Sequence, residues 1–200
     1  MIRLVTLSFL LLALNGYGQS NADSLKLFLE KAESYAAGPP DSLINYSRSA
    51  LKVALETNAD QEGGTAAWLL GIGKRMLNEL DSSEYYFEKA LTLTNDPELT
   101  GNVKMGVGGI KYATLELDGA LSYFLEAAVI FEKLELESRQ AAAYTNIGMV
   151  LNTSDSDEKA LTYFKKSLEI SKRLSLTNTL LPTLVNISIL FEKNDQYDYL

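Results

Sequence analysis

The chain has no cysteine and no histidine among its 200 residues, four prolines and one tryptophan. Without cysteine there is no disulfide, no thiolate metal site and no thiol nucleophile. Without histidine the commonest general base and the commonest metal ligand are missing too. Catalysis would have to rest on Ser, Lys, Asp and Glu alone. No spacing of these residues marks a site, so the sequence assigns no catalytic residue, no metal and no cofactor. A basic face is also absent: 18 Lys and Arg stand against 26 Asp and Glu, a net charge of −8 spread along the chain, which argues against nucleic acid as a partner. There is no alternating strand pattern, and Leu, Ala, Glu and Lys run throughout. These features predict an all-α protein.

Long apolar runs are scarce as well. The one present, Leu4 to Leu14, follows Arg3 and is broken by Asn15, Gly16, Tyr17, Gly18 and Gln19. It is short of the about 20 residues that span a bilayer and has the shape of a secretory signal peptide. Residues 1–19 are therefore expected to be removed near Gly18 or Gln19, leaving a mature chain of 20–200 that works in the periplasm or outside the cell. An uncleaved segment would instead act as a membrane tether.

A recurring motif fills the remainder. Ala160, Phe164 and Ser167 place small, aromatic and small side chains at i, i+4 and i+7, on one face of a helix. The pattern recurs at Ala120, Phe124 and Ala127, at Ser83, Phe87 and Ala90, and more faintly at Ser42, Tyr46 and Ser49. The copies lie about 40 residues apart, the signature of a helical repeat array. Twelve residues before three of them stands a glycine, Gly71, Gly108 or Gly148. Small residues let a neighbouring helix come close, and the aromatic fills the wider gap. One helix pair cannot bury its face alone, so repeats stack.

Helix pairs are expected at about 22–58, 60–96, 97–136 and 137–175, with an incomplete unit at 177–200. Gly38, Pro39 and Pro40 separate the first two helices, and Asn95, Asp96 and Pro97 end the second pair. Caps are expected near Asn21 or Asp23, at Asp81 or Ser82, and at Asp155 or Ser156. Gly101, Gly106, Gly108 and Gly109 weaken the fifth helix and suit close packing, not a phosphate loop, since no strand precedes them and no Lys-Ser or Lys-Thr follows. Asp155, Asp157 and Glu158 lack the length and glycine of a calcium loop. The fifth unit is expected to leave Leu184, Ile187 and Phe191 partly uncovered, which suggests either self-association there or that the chain is the N-terminal piece of a longer product.

These residues resemble the tetratricopeptide repeat family. Tyr144, Ile147 and Gly148, followed by Ala160, Phe164 and Ser167, carry the likeness best, and it extends over about 22–198. It implies a right-handed α-solenoid of about four and a half stacked antiparallel helix pairs. The period near 40, against 34 in the standard repeat, resembles the extended form found in exported sensor regions of bacterial signalling proteins, ahead of a histidine-kinase or DNA-binding output; the longer product would then be a histidine kinase or transcription regulator. The resemblance further implies a non-catalytic scaffold that binds a peptide or protein in a concave groove lined by the first helix of each pair. By register the groove-facing residues are Thr65, Trp68, Ile72, Arg75, Met105, Tyr112, Thr145, Met149, Asn152 and Val185. Aromatic, Met and Arg side chains are favoured at such surfaces.

Overall fold

The computed structural model describes residues 20–193; the apolar segment of 1–19 lies outside them. The described residues form α1 (20–34), α2 (Pro40–Thr57), α3 (Asp60–Met76), α4 (Leu80–Leu93), α5 (Pro97–Ala113), α6 (Leu117–Lys133), α7 (Glu137–Thr153), α8 (Asp157–Arg173) and α9 (Thr177–Lys193). There is no strand among the described residues, and none of their helices is long and apolar enough to cross a membrane. The fold class is an all-α repeat solenoid. Its helices fall into two compact units, up to Asp96 and from Pro97.

Most of the turns are copies of one another. Asn58, Asn78, Leu115, Glu135, Asp155 and Ser175 each take the left-handed conformation, φ 53–61°. The next residue in each turn, Ala59, Glu79, Glu116, Leu136, Ser156 or Leu176, donates its N–H to the carbonyl five positions back, at 2.8–3.0 Å. That bond closes the helix just ended. The carbonyl of the same residue accepts the first bond of the next helix, from Gly63, Ser83, Ala120, Gln140, Ala160 or Leu180. Backbone groups therefore terminate one helix and start the next, and the expected side-chain caps are not used. α4 begins at Leu80 after Glu79 with no side-chain cap bond. Ser156 sits at the start of α8 but contributes only its backbone. Asp155 is the left-handed turn residue. Asn21 and Asp23 lie within α1.

The small-aromatic-small motif forms the contact between the helices of a pair. Phe87, Phe124 and Phe164 are buried on α4, α6 and α8. Each lies over a glycine of the preceding helix. A Cβ on Gly71, Gly108 or Gly148 would stand 2.5–2.7 Å from the phenyl ring, closer than real atoms approach. Ser83 Oγ also donates to the Gly71 carbonyl at 2.8 Å, tying α4 to α3. Gly101 receives Phe131 in the same way, whereas Gly109 has open space around it.

The first copy is shifted by one residue from the expected register. On α2 the buried residues are Leu43, Ser47 and Ala50, while Ser42, Tyr46 and Ser49 are half-buried. Tyr46 stacks on Tyr35 at 5.8 Å, so its ring has a partner at the edge of the core. α4 also departs from the pattern, with 14 residues where α6 and α8 have 17. It ends in Thr94, an extended residue, not in a left-handed turn.

Candidate interaction site

The ten groove candidates fall into two groups, one in each compact unit. In the first unit, Trp68 and Ile72 of α3 pack half-buried with Tyr46 against Ala32, Leu43 and Leu69. Thr65 is half-buried one turn earlier, its hydroxyl donating to the Gln61 carbonyl at 3.3 Å. Arg75 is exposed near the end of the helix. The indole thus shares its area between the packed layer and solvent, as interface aromatics do.

In the second unit, Met105, Tyr112 and Met149 are half-buried against the core formed by α6, α7, α8 and α9. The Tyr112 hydroxyl meets Thr153 Oγ1 at 3.1 Å, linking α5 to α7. Asn152 is half-buried, and its Oδ1 is enclosed with no hydrogen-bond partner. Val185 on α9 is 57% exposed.

Thr145 needs correcting. It is not on the surface but is 5% exposed, inside a cluster of three hydroxyls from three helices. Its Oγ1 lies 2.8 Å from Ser167 Oγ on α8 and 2.8 Å from Thr183 Oγ1 on α9, and the last two are 3.2 Å apart. Thr183 also reaches the Thr179 carbonyl at 2.7 Å. The arrival of α9 beside α7 and α8 covers this position. Its register equivalents Trp68, Met105 and Val185 differ because their neighbours do.

α9 covers its inner face more fully than expected. Ile187, Leu190 and Phe191 are nearly fully covered, and Leu184 is half-buried. The exposed apolar stripe is Leu181, Val185 and Ile189. These are i, i+4 and i+8, one side of a helix.

Charged groups fasten the second unit. Arg173 makes a bidentate pair with Glu137, at 2.8 and 2.9 Å, and holds that carboxyl below the usual range. Lys104 Nζ sits 2.6 Å from Glu126 and lowers its carboxyl likewise, chiefly through that hydrogen bond. One repeat later the same positions hold Tyr144 and Lys166, and the lysine lies over the Tyr144 and Tyr163 rings at 5.5 and 5.1 Å. Both repeats thus hold a lysine over a tyrosine of the second helix, Lys104 over Tyr123 at 5.6 Å and Lys166 over Tyr163, but only the first adds an ion pair. The acidic cluster after α7 is held by Lys193, whose Nζ is 2.7 Å from Asp155 and 3.0 Å from Asp157.

Two features had no signal strong enough to read in the sequence: the hydroxyl cluster and a cleft beside α1. Both depend on which helices meet, which residue spacing alone does not fix.

The comparisons with known proteins agree with this architecture. Residues 140–176 match the tetratricopeptide repeat family profile. No curated protein matches the chain. Among solved structures, aspartyl phosphate phosphatase F from Bacillus subtilis is similar with a TM-score of 0.78 at 20% identity, over 87% of this chain and 47% of that one. A Rap protein complexed with competence and sporulation factor gives 0.72 at 14% identity, over 90% and 54%. MamA gives 0.59 at 19% identity, over 80% and 86%. The chain spans about half the length of the first two. At these identities the likeness concerns the fold, while the repeat match names the type. Residues 140–176 thus match a tetratricopeptide repeat, and the described residues have the fold of tetratricopeptide-like helical-repeat proteins.

Proposed function

We propose that this protein is an exported interaction scaffold that captures a peptide or protein partner on the exposed sides of its first helices, in a sensory role. The observation that carries the reading is the row of half-buried, adaptable side chains at equivalent positions: Trp68 and Ile72 in one unit, Met105, Tyr112 and Met149 in the other. Such side chains contribute apolar area while leaving polar tips to fix register. One similar fold is known in complex with a named factor, competence and sporulation factor, which supports a ligand-binding use of this architecture. The phosphatase name attached to another similar fold belongs to that protein; no catalytic role is proposed here. Export is supported by Arg3 and the Leu4–Leu14 run.

Peptides selected against the full chain from a displayed library should lose affinity at least about fivefold in Trp68→Ala and Met149→Ala, with thermal midpoints changed little. Selection of no binder, or a loss of affinity that tracks loss of folding, would count against the reading. Export is tested separately by fusing residues 1–30 to a reporter enzyme that is active only outside the cytoplasm. An inactive fusion would remove the exported part.

A second reading is self-association through α9. It is favoured by the exposed stripe Leu181, Val185 and Ile189. Light scattering of the wild type and of Val185→Glu decides it: a concentration-dependent dimer that the glutamate dissolves supports the reading, and equal monomers reject it.

A further inference from the structure

The first unit holds a cleft of about 520 Å³ between α1, the turn after α2 and the start of α3. Its floor is aliphatic, formed by Leu25 and Leu29. Its rim is acidic: Glu30 and Glu33 on α1 and Glu62 on α3, with Lys26 the one cation of the lining. Lys26 is 3.9 Å from Glu30, an exposed pair within α1. No ion pair among the described residues reaches Glu33 or Glu62.

In the second unit a cation bridges the two corresponding helices. There Arg139 of α7 crosses to α5, 2.8 Å from Glu98 and 2.5 Å from Asn102 Oδ1. In the register that aligns Gly71 with Gly148, the counterpart of Arg139 on α3 is Glu62. An acid stands where the bridging cation stands in the other unit, so no guanidinium spans from α3 to α1 beside the cleft.

We infer that this cleft is a recognition site for a basic amphipathic segment of a protein partner. An aliphatic side chain or lysine stem lies on Leu25 and Leu29, and the cationic head group is received by Glu33 and Glu62. Charge complementarity selects the partner: three carboxylates and one ammonium over an apolar floor favour a side chain with an apolar stem and a positive end. The volume falls within the range of sites that take a few residues of a ligand. The site deepens the scaffold reading and rests on it, but uses α1 and the start of α3, not the Trp68 and Met149 surfaces.

The test is fluorescence anisotropy of a labelled leucine–lysine octapeptide against the full chain, at about 0.15 M salt so that long-range attraction is screened. The variants are Glu33→Gln with Glu62→Gln, and a charge-matched control, Glu88→Gln with Glu132→Gln, on exposed positions elsewhere. The cleft variant should bind roughly tenfold more weakly, about threefold for each exposed carboxylate. The control should match the wild type, and a leucine–glutamate octapeptide should not bind. Equal affinity of cleft variant and wild type, equal weakening of the control, or absence of saturable lysine-peptide binding each overturns the inference. None of these touches the scaffold reading, which stands or falls with the Trp68 and Met149 variants.

Discussion

A glycine under an aromatic ring and a glycine in open space should answer differently to the same methyl group. At Gly148 an added Cβ would lie 2.5 Å from a ring carbon of Phe164, which is itself fully buried. Gly148→Ala should therefore destabilise the chain by about 1–3 kcal/mol, the usual cost of overpacking. At Gly109 nothing lies within 4 Å, and its register equivalents Ile72 and Met149 already carry side chains. Gly109→Ala should stabilise by about 0.5–1 kcal/mol by restricting the unfolded chain. Urea titration of both variants checks the pair, and equal signs would refute the packing account. A similar contrast holds for hydroxyls. Ser47 Oγ is buried with no hydrogen-bond partner, so Ser47→Ala should be neutral or stabilising. Thr183→Val strips a hydroxyl from the three-helix cluster and should cost about 1–3 kcal/mol. Thermal melts that rank these two the other way would show that the cluster does not stabilise the fold.

At the scale of a helix and its turn, stability is limited by residues forced into the left-handed conformation. Leu115 takes φ 61° and is 72% exposed, so it gains little from burial to offset the steric cost. Leu115→Gly should raise stability by about 1 kcal/mol, because glycine adopts that conformation freely. A lowered urea midpoint would mean that the leucine side chain matters more than its backbone. The turns also explain what the sequence revealed and what it hid. Helix starts at Asp60, Pro97 and Thr177 were legible, as was the pairing of Gly148 with Phe164, because small residues and aromatics keep their spacing wherever two helices press together. The caps were misplaced because Asp81 and Ser156 are good capping residues by type, yet here the turn backbone closes on itself. The register of α2 was misread because Tyr46, at the end of the array, stacks on Tyr35 and copies the spacing of a buried aromatic. Thr145 shows the same limit: its burial is decided by α9, an element whose packing face could not be read from residue 145 or its neighbours. For α9 itself, the stripe Leu184, Ile187 and Phe191 was legible in its spacing, but how far α7 and α8 cover it, and that Leu190 joins it, were not.

Over the whole molecule the ion pairs predict an acid limb. Hydrogen bonds from Thr114 and Lys111, from Lys104, and from Arg173 hold the carboxyls of Glu116, Glu126 and Glu137 below their usual range. In the unfolded chain these groups titrate near pH 4.3. Between that value and the lowered folded values the unfolded state binds more protons. Their contribution is therefore present above about pH 4.3 and is lost as the pH falls through the folded values. The thermal midpoint should fall on acidification through this window, and the fall should be shallower in Glu126→Gln with Glu137→Gln. Parallel curves for variant and wild type would show that the pairs are too well solvated to matter.

The shared turn, in which one residue closes a helix with its amide and opens the next with its carbonyl, makes the chain intolerant of small insertions. One extra residue taken up by a helix would turn its buried face by about 100° relative to the helix across that turn. The stretch 94–96 is different, because it contains none of these paired bonds and is anchored instead by side chains, Thr94 and Asn95 meeting Gln61. Extra length there costs only loop entropy, about 0.6 kcal/mol per doubling. An epitope tag or a reporter domain placed between Asn95 and Pro97 is thus the addition this architecture accommodates most readily.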